Sequence, residues 1–478
     1  MQLTKNKTIT LDIIDLSFKG LGVAKHNGST VFVHNAITGD KVKAKILAIK
    51  KQYAFAKVEE ILIASKYRVN PSCKYFLKCG GCSLQHLSYE KELDFKKNLI
   101  LQAFQKENIT LPDIPFEIIS SETEYQYRNK CSLPIRQGKS NKIEVGFFRK
   151  KSHDIIDIDE CILQSVSIKE LILELKNWMI ANKILPYCEQ THTGNLRHIT
   201  LRILNDNITV CLVGKENINK NVFILFSHIL NKIFNGNFSL FYNYNPNKTN
   251  VIYSKDFVFL AGKDEPIEID GLKLKVHPAG FFQVNDFVRE QLFNKVEELA
   301  KQTNSSTIIE AYAGQGVLAS KLSKAKVADK FYAIEICNES ITAGLEMVKL
   351  NNINNLQFIE GDCGVELGKL LKNLIGTPRC ASPTIKQLDF VGDAHLGVPN
   401  NQNPLLILDP PRSGVCDNVI TAIKTNPPPY IIYISCNQNS LARDISTLMP
   451  HYKITHITAF DMFSQTVNIE ALIMLEKI

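Results

Sequence analysis

The 478-residue chain reads as an α/β protein in three parts. These are a small N-terminal β-barrel over 1–64, a central, mostly antiparallel α+β domain over 65–280, and a C-terminal Rossmann-like domain over 281–478. Three observations predict this. Two apolar runs, LLILD (405–409) and YIIYIS (430–435), each close on a polar turn, Asp409-Pro410-Pro411-Arg412 and Ser435-Cys436-Asn437. In an open α/β sheet the carboxyl ends of such strands meet the ligand. Upstream, TIIEA (307–311) runs into the glycine turn Tyr312-Ala313-Gly314-Gln315-Gly316, and later strands end at Glu335 and by Asp362. The first 62 residues alternate short strand-like runs with Gly and Asn turns.

Length suggests roughly three domains at ~150 residues each. The net charge of +8 permits an anionic partner without demanding one. The sequence holds no apolar run long enough for a membrane helix. Its first residues lack an apolar stretch followed by a small-residue cleavage site, so a cytoplasmic location and no membrane partner are expected. A monomer is expected. Twelve cysteines in a reducing compartment point to metal or catalytic thiols rather than a disulfide scaffold.

Taken in order, residues 5–62 predict about five strands, with lysines at 41, 43, 45, 50, 51 and 57. A small curled barrel with a basic face suits RNA. The turns GLGVA and FVHNAITGDKVKAKI make this part resemble a TRAM domain, a small OB-like RNA-binding barrel. Next comes Cys73-x5-Cys79-Gly80-Gly81-Cys82, with Cys161 further on in IDIDECILQ. Three close thiols and a distant fourth make an S4 set for zinc or an iron–sulfur cluster, and spacing leaves both open. The other isolated cysteines, Cys380 among them, read as core or surface thiols. Residues 88–107 predict an amphipathic helix with an apolar stripe of Leu93, Leu99, Ile100 and Phe104, and this helix is expected against the catalytic domain. Alternating strands then run to about 285, with Tyr127, Arg128, Arg149, Lys150, Lys151, Arg197, His198 and Arg202 among them as candidate phosphate contacts. Residues 370–404 are polar, rich in Gly and Pro and poorly periodic, and predict an insertion before the LLILD strand.

The glycine turn lacks the third glycine of a dinucleotide fingerprint. S-adenosylmethionine has no phosphates. It needs a glycine for close approach, an acid for the ribose hydroxyls and a polar strand end near the adenine, and Tyr312, Gly314, Glu335 and Asp362 suit it. Asn426-Pro427-Pro428-Pro429-Tyr430 looks like the motif of amino-group methyltransferases, but its prolines precede a strand instead of following one. The prolines that do end a strand lead into Arg412, which argues against an amine target. Cys436 stands at a strand end before a helix, where a thiolate is favoured. A thiolate added to C6 of a pyrimidine turns C5 into a nucleophile for a methyl group, and a base must then remove the C5 proton. Glu470, in the apolar run of the last strand, is the candidate base; its surroundings are expected to raise its pKa.

The segments CKYFLKCGGCSLQHLSY, YRNK, HPAGFFQVN, EAYAGQG, LDPPRSGV, YISCNQNSLARD and DMFSQTVNIE together resemble the RNA (uracil-5-)-methyltransferase family, above all its TRAM-containing 23S rRNA enzymes. The resemblance implies a class I methyltransferase domain that methylates C5 of a uridine. Its expected RNA is 23S rRNA, with a tRNA T-loop uridine as the alternative. It implies that Cys73, Cys79, Cys82 and Cys161 hold a [4Fe–4S] cluster. It implies that Gln283, Tyr312, Glu335, Asp362 and Asp409 contact S-adenosylmethionine, and that Phe281 lies near the target uracil. Cys436 is then the nucleophile and Glu470 the base. The sequence departs from the family pattern at Ala313, where a cysteine is usual, at Asn468, where a histidine is frequent, and in the 370–404 insertion. None of these removes a group the chemistry needs.

Overall fold

The computed structural model describes residues 3–138, 142–150, 152–216, 220–375 and 403–478. In the N-terminal part, β1 (Thr8–Asp12), β2 (Asp15–Leu16), β3 (Gly22–His26), β4 (Ser29–His34), β5 (Lys41–Ile49) and β6 (Tyr53–Ile63) form one sheet in the order β1-β5-β6-β4-β3-β2. Strand period two explains its two faces. Along β5, Val42, Ala44 and Ile46 are buried while Lys41, Lys43 and Lys45 face out. The core is completed by Leu11, Val31, Val33 and Ala54.

The cysteine segment follows, then α1 (Tyr89–Lys106) and β7 (Phe116–Ile119). The central sheet comprises β8 (Lys130–Gln137), β9 (Ile143–Phe148), β10 (Ile155–Asp157), β11 (Leu196–Leu204), β12 (Asn207–Gly214), β13 (Phe238–Tyr244) and β14 (Phe257–Gly262). Its order is β10-β9-β8-β11-β12-β13-β14, antiparallel except for the β12–β13 pair. Helices α2 (Lys169–Ala181) and α3 (Lys220–Ile233) share its core, with Trp178 against Phe226 at 4.6 Å between rings.

A hairpin, β15 (Ile267–Ile269) and β16 (Leu272–Leu274), leads to α4 (Asp286–Gln302) and the C-terminal sheet. The remaining elements are β17 (Thr307–Ala311), α5 (Val317–Lys324), β18 (Lys330–Glu335), α6 (Asn338–Leu350), β19 (Leu356–Glu360), α7 (Cys363–Ile375), β20 (Pro404–Leu408), α8 (Asp417–Thr425), β21 (Tyr430–Ser435), α9 (Gln438–Leu448), β22 (Tyr452–Phe460) and β23 (Glu470–Lys477). The sheet order is β19-β18-β17-β20-β21-β23-β22-β7. Strands β17 to β21 are parallel and β23 runs against β21. The chain leaves β17 toward one edge and returns at β20 on the other side, so a topological switch point lies between them.

Three local readings change. Residues 370–375 are helical, because Leu370, Leu371 and Leu374 continue the buried face of α7; residues 376–402, including Cys380, lie outside the described residues, as does Lys151. Residues 116–119 sit in the C-terminal sheet as β7, paired in parallel with β22, although the sequence assigned them to the central domain. Helix α1 packs on α9, and its buried face carries Glu92 and Lys96 beside Leu99, Ile100, Ala103 and Phe104, while Leu93 is only half-buried. No helix among the described residues is long and apolar enough to cross a membrane.

Candidate active site and cysteine cavity

The carboxyl edge of the C-terminal sheet collects the chemistry. Asp409 follows β20 and Cys436 follows β21. Glu470 opens β23, which runs the other way, so its first residue reaches the same edge. Ser435 pairs with Ala471; one step further, the antiparallel register sets Cys436 beside Glu470. Glu470 is buried and Asp409 half-buried, and each influences Cys436.

Arg412 is held over this cluster by the segment that follows Cys436. Asn437 Nδ2 and Ser440 Oγ donate to the Arg412 carbonyl at 2.8 and 3.2 Å. Arg443 donates to the Ser413 carbonyl at 2.8 Å, and Asp444 accepts from the Val415 amide at 3.0 Å and the Tyr433 hydroxyl at 2.6 Å. The run CNQNSLARD thus clamps PPRSGV, and the Arg412 guanidinium lies near enough to Cys436 to lower its thiol.

Electrostatics here differ from the thiolate expected at a helix N-terminus. Burial pushes the Cys436 thiol up, the Glu470 and Asp409 carboxyls push it further, and Arg412 pulls it down. Burial likewise raises Glu470 well above the usual carboxylate range, with Asp409 adding to it and Arg412 opposing, and it raises Asp409 to about 7. Cys436 therefore rests as a thiol, because desolvation outweighs both the helix end and the guanidinium.

Next to this cluster, the glycine turn forms a cradle. Tyr312, Gly314 and Gly316 all have left-handed backbones, at φ 64, 57 and 66°. A Cβ on Gly314 would meet nothing within 4 Å, so the turn faces open space there, whereas one on Gly316 would stand 2.7 Å from the Phe358 ring. The Glu335 carboxylate accepts from the Gly314 amide at 2.8 Å and from the Cys337 amide at 2.8 Å. Asp362 accepts from the Val365 amide at 3.2 Å, at the start of α7. An open glycine turn flanked by two strand-end carboxylates fits a cofactor that carries a ribose and no phosphates.

The loop of 277–285 packs against this turn. Gly280 lies against the turn, where an added Cβ would stand 2.6 Å from Gln315 Nε2. Gln283 is buried, with its carbonyl accepting from Asn129 Nδ2 at 3.0 Å. Phe281 is 67% exposed, a large ring turned to solvent. Arg202, buried in β11, donates to the Gly280 carbonyl and stacks over Phe282.

Cys73, Cys79, Cys82 and Cys161 line one cavity of about 300 Å³. Among the described residues, no three His, Cys, Asp or Glu side chains stand close enough to hold a single metal ion. The cavity wall also includes Arg128, Arg412, Phe463 and Asn468, so it abuts the catalytic edge. Beyond Gly80, Gly81 and Cys82 lies a groove of about 770 Å³ between barrel and central domain. Its lining includes Lys19, Arg149 and Lys150 with Phe55 and Phe148, and no carboxylate among the described residues.

Sequence reasoning missed two groups. Glu310, buried in β17, is raised by burial to about 8 and accepts from the Ala319 amide at 2.9 Å, which anchors α5. An acid inside an apolar strand was the available signal. The Lys96–Glu92–Asp461 cluster, described below, left no local signal.

Comparison with known proteins agrees with this geometry. Residues 88–478 match the family model tRNA (Uracil-5-)-methyltransferase, and residues 2–58 match the TRAM domain. An uncharacterized RNA methyltransferase of Clostridium tetani is 33% identical over 98% of this chain and 96% of its own. One from Listeria innocua is 33% identical over 99% and 98%. The crystal structure of Pyrococcus abyssi tRNA (uracil-54, C5)-methyltransferase with S-adenosyl-L-homocysteine superposes with a TM-score of 0.73 at 24% identity, covering 98% of this chain and 99% of that one. With its cradle, its strand-end thiol–carboxyl pair and its barrel, this chain belongs to the tRNA (uracil-5-)-methyltransferase family and is an S-adenosylmethionine-dependent RNA (uracil-5-)-methyltransferase with a TRAM domain.

Proposed function

We propose that Cys436 and Glu470 carry out the two halves of uridine C5 methylation. The uridine must leave its stack to reach a buried edge, and Phe281 supplies an exposed ring to stack on it. Cys436 Sγ adds to C6, which moves electron density to C5 and O4. S-adenosylmethionine, held by Tyr312, Glu335, Asp362, Gln283 and Asp409, supplies the electrophilic methyl group. Glu470 then takes the C5 proton, the C5–C6 double bond re-forms, and the Cys436 thiolate leaves. A carboxyl raised by burial is a stronger base once ionised. Asp409 and Arg412 hold charge beside the thiol. The observation that carries this reading is the register that puts Cys436 beside Glu470 at the switch-point edge.

For the four cysteines we propose a [4Fe–4S] cluster. The four thiols that line one cavity supply the donor set of such a cluster, and Arg128 and Lys150 nearby would offset its negative charge. The methyl transfer needs no redox step from it, so its role is to order the segment between barrel and central domain.

For the RNA, the family model and the Pyrococcus abyssi relative are both named for tRNA, so a T-loop uridine is the first reading. The 23S rRNA target that the sequence favoured stands second, on the signature segments quoted above. Mapping 5-methyluridine in both RNAs after deletion of the gene separates them. In vitro, Cys436→Ala is expected to abolish methylation and adduct alike, and Glu470→Gln to trap a covalent protein–RNA adduct. Full turnover by Cys436→Ala would sink the mechanism.

A further inference from the structure

The segment 461–469 joins β22 to Glu470 and contains no helix or strand. It is held from outside by one face of α1. Lys96 Nζ donates to Asp461 Oδ1 at 2.5 Å, to Glu92 Oε1 at 2.6 Å and to the Phe463 carbonyl at 3.1 Å, which uses all three ammonium protons. Asp461 also accepts from the Tyr89 hydroxyl and from Ser464 Oγ, both at 2.6 Å. Glu92 Oε1 accepts from the Gln465 amide at 2.7 Å. Gln465 has a left-handed backbone, at φ 68°, and its carbonyl accepts from the Ser83 and Leu84 amides at 3.0 and 3.1 Å. The Lys96, Glu92 and Asp461 side chains are fully buried.

A buried charge cluster is a poor way to gain stability, since apolar residues of the same volume do as well or better. Its place explains it better. Asp461 directly follows Phe460, and Phe460 pairs with Glu470, so the cluster grips the segment at one end, and the strand register fixes the other. Phe463, Thr466 and Asn468 of the same segment form a wall of the cysteine cavity. We propose that Lys96, with Glu92 and Tyr89, is the positioning group for Glu470: α1 sets the path of 461–469 and thereby holds the Glu470 carboxyl beside Cys436. This rests on Glu470 being the base. Misplacing a reacting group by about 1 Å costs on the order of 100-fold in rate, and here the loss should fall on proton removal alone.

The test uses the full chain, S-adenosylmethionine and RNA carrying uridine tritiated at C5. Glu470→Gln is the reference. Lys96→Met leaves two buried carboxyls together, so Glu92→Gln and Tyr89→Phe, which keep size and shape, are measured with it. Expected in at least one folded variant is a tenfold or greater fall in tritium release, with methylated covalent adduct accumulating and the KM values for RNA and cofactor little changed. Lys96→Arg is expected to restore part of the release. The proposal is overturned if the folded variants release tritium at the wild-type rate, or if adduct formation and release fall together in step with loss of circular dichroism. If Glu470→Gln itself traps no adduct, the assignment of the base fails and this inference falls with it; if only the α1 variants behave as wild type, the base stands and the positioning role alone is lost.

Discussion

At the scale of single residues, the site is a contest between burial and charge. Cys436 must lose a proton to attack, yet burial and two carboxyls hold that proton on. Glu470, raised well above its usual range, must also ionise before it can act. Both active forms are deprotonated, so the rate should rise with pH through the neutral range. Arg412 is the group that lowers Cys436. Arg412→Gln removes that pull, so the thiol stays protonated to higher pH, and the limb for adduct formation should move upward. Single-turnover adduct formation against pH measures this; an unmoved limb would remove Arg412 from the activation of the thiol.

At the scale of elements, short motifs act as clamps. The turn after β17 is open at Gly314 and crowded at Gly316. A Cβ at Gly314 meets no protein atom, but the left-handed backbone costs roughly 1–2 kcal/mol for an L side chain, and the added methyl enters the cradle. Gly314→Ala should therefore fold, melt slightly lower and bind S-adenosylmethionine at least tenfold more weakly by calorimetry. Unchanged affinity would place the cofactor elsewhere. The run CNQNSLARD is a second clamp. Its Asn437, Ser440, Arg443 and Asp444 contacts were unreadable from sequence as contacts, although strand, thiol and helix were each visible there.

At the scale of the whole molecule, the groove between barrel and central domain lies beside the cysteine cavity, which in turn abuts the catalytic edge. A basic, aromatic-lined groove suits single-stranded RNA, whose phosphates meet cations and whose bases stack. Lys19→Ala and Arg149→Ala should each weaken RNA binding and reduce the slope of log K against log salt by about 0.7, the value for one phosphate contact on a single strand. Cofactor affinity should stay unchanged. Equal slopes in wild type and variants would show that RNA follows another path.

What the sequence determined by itself was everything written in local pattern. Period-two runs named the strands of the barrel, glycines named the turn, strand-end polarity named Asp409 and Cys436, and an acid within the apolar last run named Glu470 before any register was known. What only the tertiary structure decided involves partners far apart in the chain. Lys96 and Glu92 look like solvent-facing charges on an amphipathic helix, and only Asp461, 365 residues beyond Lys96, makes them a buried cluster. Residues 116–119 are too short to declare their sheet until β22 stands beside them. Nor could residue type alone tell whether Cys436 rests as thiol or thiolate, because desolvation depends on everything packed around a group, and packing is a property of the folded whole.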